Sequence, residues 1–147
     1  MKKLKTLLAL WLVAMTMGYT LTSCEKEEID IPGSVTVKMR NDGSSIYWND
    51  SRACLYINKS NNFRTTGYDH SEIASVGKVK GLGSIKKIPE SGWTQELSVI
   101  VGHGYVVRYT KYADSNQYFY ARVFVRDEII GTSGGIIGYT ISYIEGM

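Results

Sequence analysis

Alternation of apolar and polar residues constrains the fold of this chain more than any other feature of its sequence. After residue 30, apolar side chains recur at every second position in several short runs, and no stretch shows sustained helical periodicity. A period of two residues places successive side chains on opposite faces of a β-strand. Eleven tyrosines and fifteen glycines suit strands joined by tight turns. The sequence therefore predicts an all-β domain.

The clearest predicted hairpin joins residues 35–41 to residues 44–48 through Asp42-Gly43. Asp-Gly favours a two-residue hairpin turn, because glycine tolerates the positive φ that such a turn requires. This register leaves polar residues on one face and pairs the apolar residues on the other, as Met39–Ile46 and Val37–Trp48. We therefore predict that these two strands pair with each other.

A second hairpin is predicted from residues 96–101 and 105–110, which flank the loop Gly102-His103-Gly104. Its register also aligns apolar residues on one face, as the pairs Val101–Tyr105, Val99–Val107 and Leu97–Tyr109. The reverse face places Val106 opposite Ile100 and Arg108 opposite Ser98. Apolar residues on both faces near the turn indicate that this end of the hairpin is covered on both sides.

Four further segments have strand character: residues 118–126 and 136–144 strongly, and residues 54–57 and 73–79 more weakly. We expect one domain over residues 34–147, with about seven or eight strands. Its fold class is a small antiparallel β-sandwich or a partly open barrel.

Residues 1–23 have the pattern of a signal peptide that is cleaved from the mature protein. Three lysines precede an apolar run over residues 7–15, which is too short to span a bilayer as a helix. The segment Leu21-Thr22-Ser23-Cys24 resembles the lipobox of bacterial lipoproteins. This resemblance implies that Cys24 is acylated with palmitate-type lipid and becomes the first mature residue. An ordinary signal peptide with an incidental cysteine and an uncleaved anchor helix are the alternatives.

Residues 24–33 read as a lipidated acidic tether between this anchor and the domain. The run Glu25-Lys26-Glu27-Glu28 resembles the acidic signal that sends lipoproteins of Bacteroidetes-type bacteria to the outer face of the outer membrane. The resemblance implies an outer-membrane protein at the cell surface. The alternative is a solvated tether without a sorting role, on a protein that faces the periplasm.

Charge and cysteine content narrow the possible partners. Residues 1–23 contain three of the 17 basic residues and none of the 14 acidic ones, so the mature chain has no net formal charge. A nucleic-acid partner would require a basic excess, so none is predicted. With Cys24 acylated, Cys54 has no cysteine to pair with, and in its apolar run it is expected to be a buried small hydrophobe.

Candidate catalytic patterns are present but weak, and we predict a protein that is not an enzyme and uses no cofactor or metal. Gly131-Thr132-Ser133-Gly134-Gly135 resembles the nucleophile segment of chymotrypsin-type proteases, but threonine replaces its aspartate. Cys54 with His103 lacks the helix that activates a cysteine nucleophile. The glycines and lysines of residues 77–84 lack the ending of a phosphate-binding loop. His70 and His103 each stand alone.

A recognition surface remains the most informative functional signal. One face of the strand at 118–126 carries aromatic and arginine residues, and Trp93 follows a turn at Pro89. Such residues dominate binding energy at protein interfaces, and aromatic rings also stack on sugars. The predicted binding residues are Trp93, His103, Tyr105, Arg108, Tyr118, Tyr120 and Arg122. The alternative is that these aromatics form a second buried layer.

Four segments together resemble an uncharacterised lipoprotein family of Bacteroides and its relatives. They are residues 79–85, 88–93, 102–108 and 134–138, which span most of the mature chain. The resemblance implies an outer-membrane lipoprotein and supplies no catalytic residue. The favoured function is a binding or accessory module for a glycan or a protein, and the alternative is an envelope structural or assembly protein. A hydrolase is the disfavoured third hypothesis.

Overall fold

The computed structural model describes residues 30–48, 52–66, 70–112 and 114–147. The predicted signal peptide, Cys24 and the acidic run 25–28 lie outside the described residues. The described part contains nine strands and one short 3-10 helix at Leu82–Ser84. The strands are β1 Val35–Arg40, β2 Ser45–Tyr47, β3 Cys54–Ile57, β4 Asn62–Thr65, β5 Glu72–Lys78, β6 Glu96–Ser98, β7 His103–Thr110, β8 Tyr118–Ile130 and β9 Ile136–Glu145.

The strands form two antiparallel sheets, which confirms the predicted all-β sandwich. One sheet has five strands in the order β1-β9-β8-β7-β5, and the other has four in the order β2-β3-β4-β6. The two sheets are not closed into a barrel, so the sandwich is the correct one of the two predicted architectures. The weaker strand candidates at 54–57 and 73–79 are confirmed as β3 and, within one residue, β5.

The first predicted hairpin is wrong in its pairing. β1 pairs with β9, from Val35 opposite Tyr143 to Arg40 opposite Gly138, while β2 pairs with β3. The predicted apolar face is nevertheless correct, since Met39, Ile46 and Trp48 are all buried. The turn at Asp42-Gly43 carries the chain from one sheet to the other. Its two strands therefore face each other across the core and share no ladder.

The second predicted hairpin is wrong for the same reason. β6 belongs to the four-stranded sheet, where it pairs with β4, while β7 lies between β5 and β8 in the five-stranded sheet. The Tyr105 hydroxyl bonds the backbone of this crossing: it donates to the Ser98 carbonyl at 2.8 Å and accepts from the Ile100 N–H at 3.0 Å. A buried phenol thus satisfies two polar groups where the chain changes sheet.

The main core fills the space between the two sheets. Inward-facing residues of β7, β8 and β9 meet those of β2, β3 and β4, and aromatic rings pack at its centre. Phe63 meets Tyr105 edge to face with centroids 5.0 Å apart, and Trp48 stacks on Tyr109 at 5.7 Å. Offset and edge-on ring pairs add stability beyond the area that they bury.

A second, smaller core covers the outer face of the five-stranded sheet. The segment that connects β5 to β6 lies on this face and buries Leu82 and Ile85 against Val106 and Phe124. Gly104 permits the close approach, because a Cβ there would lie 2.8 Å from side-chain carbons of Val76, Val79 and Ile85. The predicted coverage on both sides of this turn is therefore correct for β7, where Tyr105 and Val106 are buried. It is wrong for the other predicted strand, because Ile100 and Val101 are 46% and 39% exposed.

The two sides of the sandwich differ. On one side, Ile73 of β5 and Thr94 exchange backbone hydrogen bonds of 2.7 and 3.0 Å. The segment that leads from β5 to β6 is therefore hydrogen-bonded to the edge of the five-stranded sheet. On the other side, the edge strands β1 and β2 expose Val35 and Tyr47, which are 45% and 70% accessible. A depression of about 370 Å³ lies between these two residues and Tyr143.

The end of the predicted tether is packed against the domain. Of residues 24–33, the structure describes Asp30–Gly33. Asp30 forms an ion pair with Arg126, and Ile31 packs against the second core. The packed part of the domain thus begins at least four residues before the predicted boundary at residue 34.

Candidate binding surface

The outer face of the five-stranded sheet holds one compact group of aromatic and charged side chains. The Arg108 guanidinium carbon lies 4.3 Å from the centroid of the Trp93 ring and 4.8 Å from that of Tyr118. The Trp93 and Tyr120 centroids are 6.5 Å apart. We call Glu72, Trp93, Arg108, Tyr118 and Tyr120 the aromatic–arginine cluster.

Strand register explains why four of these residues meet. On β7, Val106, Arg108 and Thr110 alternate with the core residues and therefore point to the outer face. Arg108 lies opposite Glu72 on β5 and opposite Tyr120 on β8. Tyr118 lies opposite Thr110, one diagonal step from Arg108, which is within reach of a long side chain.

Trp93 reaches the cluster from the connecting segment rather than from the sheet. Its Nε1–H donates to the Pro89 carbonyl at 3.2 Å, which fixes the indole over a tight turn. Gly92 in this turn has φ of 81°, a conformation that glycine adopts without strain. The indole ring is therefore positioned by local hydrogen bonding before any ligand arrives.

The cluster is charge-balanced and partly accessible. Arg108 Nε donates to a Glu72 carboxylate oxygen at 2.8 Å, and Nη2 donates to the same oxygen. The two side chains are 24% and 29% exposed. A guanidinium held between two ring faces and one carboxylate has little freedom to rotate. The cluster therefore offers a ligand a preorganised surface of ring edges, guanidinium and carboxylate groups.

Tyr105 does not belong to this surface, so the predicted binding role is wrong for this residue. It is 1% exposed and packs in the main core, on the face of β7 opposite to Arg108. Burial raises the pKa of its hydroxyl, which also bonds the backbone of residues 98 and 100. Its contribution is structural.

His103 and Arg122 lie outside the cluster as well. His103 begins β7 opposite Lys78, and its buried Nδ1 has no hydrogen-bond partner in the described part of the chain. Arg122 shares the outer face of β8 with Tyr120, but its Nε donates to the Gly146 carbonyl at 3.2 Å. Partial burial lowers the pKa of the Arg122 guanidinium.

Glu72 is the cluster residue that the sequence did not single out. No motif surrounds it, and it begins the strand that was predicted only weakly. Its role follows from one pairing, β5 with β7, which places it opposite Arg108. The available signal was charge complementarity between two strands, which identifies a pair only once the partner strands are known.

The residues considered for catalysis adopt structural roles. Cys54 is a free, buried cysteine in β3, as expected for a small hydrophobe, and burial raises the pKa of its thiol. Residues 131–135 form an exposed turn between β8 and β9, closed by hydrogen bonds between Gly131 and Gly135 and between Gly134 and Gly131. A phosphate-binding loop continues into an α-helix, whereas residues 77–84 end in a single 3-10 turn.

In the ranges that the structure describes, no three histidine, cysteine or acidic residues lie close enough together to hold a metal ion. The same ranges contain no helix with the length and apolar character needed to cross a bilayer.

Comparison with known proteins gives one family. Residues 49–145 match the family described as "Domain of unknown function (DUF5036)". The match covers β3 to β9 and leaves out β1 and β2. No curated protein and no solved structure matches the chain.

Proposed function

This chain belongs to the DUF5036 family, and from that premise we propose that it is a lipid-anchored, non-catalytic binding or accessory module at the surface of the outer membrane. Its ligand is a glycan or a protein, and its ligand-binding surface is the aromatic–arginine cluster. The observation that carries the proposal is the position of the Arg108 guanidinium within 5 Å of both the Trp93 and the Tyr118 ring centroids, on a partly exposed sheet face.

The location is supported by the beginning of the sequence. A basic start, a short apolar run and the lipobox-like Leu21-Thr22-Ser23-Cys24 fit an exported chain that is acylated on its cysteine. The acidic run behind Cys24 supports surface export. The resemblance to lipoproteins of Bacteroides points the same way, and it adds the outer membrane as the anchored compartment.

The binding role is supported by the chemistry of the cluster. Rigid aromatic side chains lose little conformational entropy when they contact a ligand. Arg108 already stacks on two rings, so its remaining N–H groups are oriented for an acceptor on the ligand. A sugar hydroxyl or a peptide carbonyl at the ring edges provides such an acceptor. The preorganised surface reduces the ordering cost of binding either class.

A non-catalytic role is favoured over an enzyme by the two groups best suited to nucleophilic chemistry. Cys54 is buried in a strand with its thiol pKa raised, which reduces the thiolate fraction. His103 starts a strand of the other sheet. The proposal therefore assigns no catalytic residue and no cofactor.

The test compares two tyrosines on a glycan array and against labelled secreted proteins. Tyr118→Ala removes a ring from the cluster, whereas Tyr112→Ala removes a tyrosine that is exposed elsewhere. We expect Tyr118→Ala to lose binding and Tyr112→Ala to retain it, with both melting temperatures within about 2 °C of the wild type, because neither ring is buried. Binding that survives Tyr118→Ala and Trp93→Phe alike would refute the cluster as the ligand-binding surface.

The anchor is tested separately with the full precursor. Replacement of Cys24 by serine should abolish labelling with radioactive palmitate and release the protein from the membrane fraction. Equal membrane association and equal absence of label in both forms would refute the anchor.

A second candidate function, an envelope structural or assembly protein, is favoured by the open side of the sandwich. The edge strands β1 and β2 present exposed Val35 and Tyr47 beside a depression of about 370 Å³. An unpaired strand edge is a template for a partner's strand. Under this alternative, Tyr47→Lys disrupts an envelope complex while binding through the cluster is unchanged.

A further inference from the structure

Positive charge is concentrated in one segment of residues 24–147, which as a whole have no net formal charge. Residues 78–89 contain four lysines, Lys78, Lys80, Lys86 and Lys87, and no acidic residue. All four side chains are exposed. The mature chain has no net formal charge, so the four lysines produce a local positive field, and the rest of the mature chain carries an equal excess of negative charge.

A depression of about 290 Å³ opens within the same segment. Its lining combines the aliphatic side chains of Val76, Val79 and Ile85 with Ser84, Lys86 and Lys87. Aliphatic carbons next to a hydroxyl and two ammonium groups are complementary to a molecule with an apolar part and an anionic part. Neither a purely apolar nor a purely ionic ligand would use both halves of this lining.

The depression lies at the end of the domain from which the tether leaves. Asp30 pairs with Arg126 on β8, next to Val125. The Val125 carbonyl accepts from the Gly102 N–H, and the Gly102 carbonyl accepts from the N–H of Val79, which lines the depression. Cys24 lies six positions before Asp30, which bounds the distance between their Cα atoms at about 20 Å for a fully extended chain. An acyl group on Cys24 therefore keeps this end of the domain close to the bilayer surface.

We propose that the lysine-bordered depression binds the phosphate-bearing headgroup of an anionic membrane lipid and docks this end of the domain on the bilayer. Lys86 and Lys87 neutralise the phosphate, and the Ser84 hydroxyl donates to one of its oxygens. The partly exposed Val76 and Val79 contact the first methylene groups of the lipid. The orientation of the docked domain rests on the proposed anchor at Cys24, whereas headgroup binding itself does not.

This docking leaves the aromatic–arginine cluster free for its own ligand. Arg108 lies four residues along β7 from Gly104, which is about 13 Å at the rise of a β-strand. The lysine-bordered end therefore faces the bilayer while the cluster lies farther from it. One face of one sheet would thus serve two ligands at its two ends.

The test uses the mature chain with Cys24→Ser, so that no acyl group contributes to membrane binding. Its sedimentation with phosphatidylcholine vesicles is compared with its sedimentation with vesicles that also contain phosphatidylglycerol. We expect association with the anionic vesicles only. The double substitution Lys86→Gln and Lys87→Gln should weaken it about 30-fold, since each lysine near an anionic leaflet contributes about fivefold.

The matched control is the double substitution Lys38→Gln and Lys59→Gln, which removes the same charge from two exposed lysines on β1 and on the turn after β3. It should change the partition less than twofold. Equal weakening by both pairs would show a diffuse charge effect and overturn the site. Equal binding of wild type to neutral and anionic vesicles would overturn the proposal as well.

A final arm separates a lipid headgroup from a free anion. Inorganic phosphate should release only slightly more protein than sodium chloride of the same ionic strength, because a free phosphate lacks the methylene groups that contact the aliphatic side chains. Phosphate that binds the chain as tightly as the anionic vesicles do would identify a soluble anion as the ligand and overturn lipid docking. Failure of these vesicle experiments leaves palmitate labelling of the wild-type precursor unaffected, so the two proposals fail independently.

Discussion

The two faces of the five-stranded sheet are covered in different ways. The inner face is closed by a second sheet, and its side chains, from Tyr105 to Ile141, are buried in the main core. The outer face is covered at one end by an irregular segment and presents the aromatic–arginine cluster at the other. The face closed by a regular sheet holds the fold together. The face closed by a loop leaves the side chains of the aromatic–arginine cluster partly exposed.

Alternate residues of β8 point to the two faces of the sheet. Phe119, Ala121, Val123 and Val125 contribute to the main core, and the intervening residues include Phe124 of the second core and the Tyr118 and Tyr120 rings of the cluster. The interpretation as a second buried layer thus holds for only a part of this stripe. Phe124 belongs to a second buried layer, whereas Tyr118 lies at the accessible surface.

The largest predicted effect compares a deletion on each face. Phe63→Ala in the main core should reduce the free energy of unfolding by about 4 kcal/mol, because two packed sheets cannot collapse into the cavity. Leu82→Ala in the second core should cost about 2.5 kcal/mol, since an irregular segment settles more easily. Urea denaturation of both variants measures the difference. Equal costs would contradict the idea that the loop-covered face is more adaptable.

The next effect concerns the contact between the sheet and the covering segment. Gly104→Ala places a methyl group 2.8 Å from carbons of Val76, Val79 and Ile85. We expect a loss of about 2 kcal/mol from overpacking, seen as a lower urea midpoint. Vesicle binding should also weaken, because these three side chains line the lysine-bordered depression. An unchanged midpoint would show that the segment is held more loosely than its burial implies.

A pH dependence distinguishes the inner face from the outer one. Burial, the main cause, raises the pKa of Tyr105, Tyr109 and Tyr139, and Glu145 adds to the effect at Tyr109. Their pKa values in the folded protein thus exceed the unfolded value of about 10. Their stabilising effect is complete below pH about 10 and is lost as the pH rises toward the folded values.

The corresponding experiment follows unfolding between pH 8 and pH 12. Tyr109→Phe should make the alkaline decline shallower and, at neutral pH, cost about 1 kcal/mol for the lost 3.2 Å hydrogen bond to Glu145. The exposed Tyr112 provides the control, and Tyr112→Phe should leave both quantities unchanged. A steeper decline in Tyr109→Phe would contradict the assignment.

The smallest stability effect is expected in the cluster itself. Glu72→Gln removes the carboxylate beside Arg108 and should lower stability by about 0.5–1 kcal/mol, because both groups are partly solvated. Ligand binding should weaken much more, since Arg108 loses the partner that orients it. The control Asp42→Asn removes the carboxylate of the more exposed Arg40 pair and should change neither. A large stability loss in Glu72→Gln would indicate that the ion pair with Arg108 stabilises the fold rather than forming part of a binding surface.

Sequence reasoning identified the faces of the strands better than their partners. Met39 and Trp48 were correctly assigned to a buried face, yet the strands that carry them belong to different sheets. Alternation reports which side chains are buried, and burial is the same whether two strands pair or face each other across a sandwich. Asp42-Gly43 supplies a turn in either case. The partner of β1 is β9, about 100 residues away, and no local pattern encodes that pairing.

For the candidate site, aromatic and arginine residue types predicted most of the cluster correctly, but they did not predict on which face of the sheet each side chain lies. Trp93, Arg108, Tyr118 and Tyr120 do meet, while Tyr105 lies on the opposite face. The alternation of β7 contained that distinction, because Tyr105 and Arg108 are three residues apart and an odd separation reverses the face. Glu72 depended on strand pairing and could not be found without it.

The register of β1 with β9 also governs the order in which this domain can be completed. Val35 lies opposite Tyr143, so β1, the first strand of the described residues, gains its ladder partner only after β9 has been synthesised. Until then its backbone groups lack their ladder partners, and the sheet has an unfinished border of long sequence separation. A chain that ends before residue 136 would keep that border permanently. Pairing of β9 with β1 thus completes this sheet. A truncation within β9 removes the hydrogen-bond partners of β1, about 100 residues earlier in the sequence.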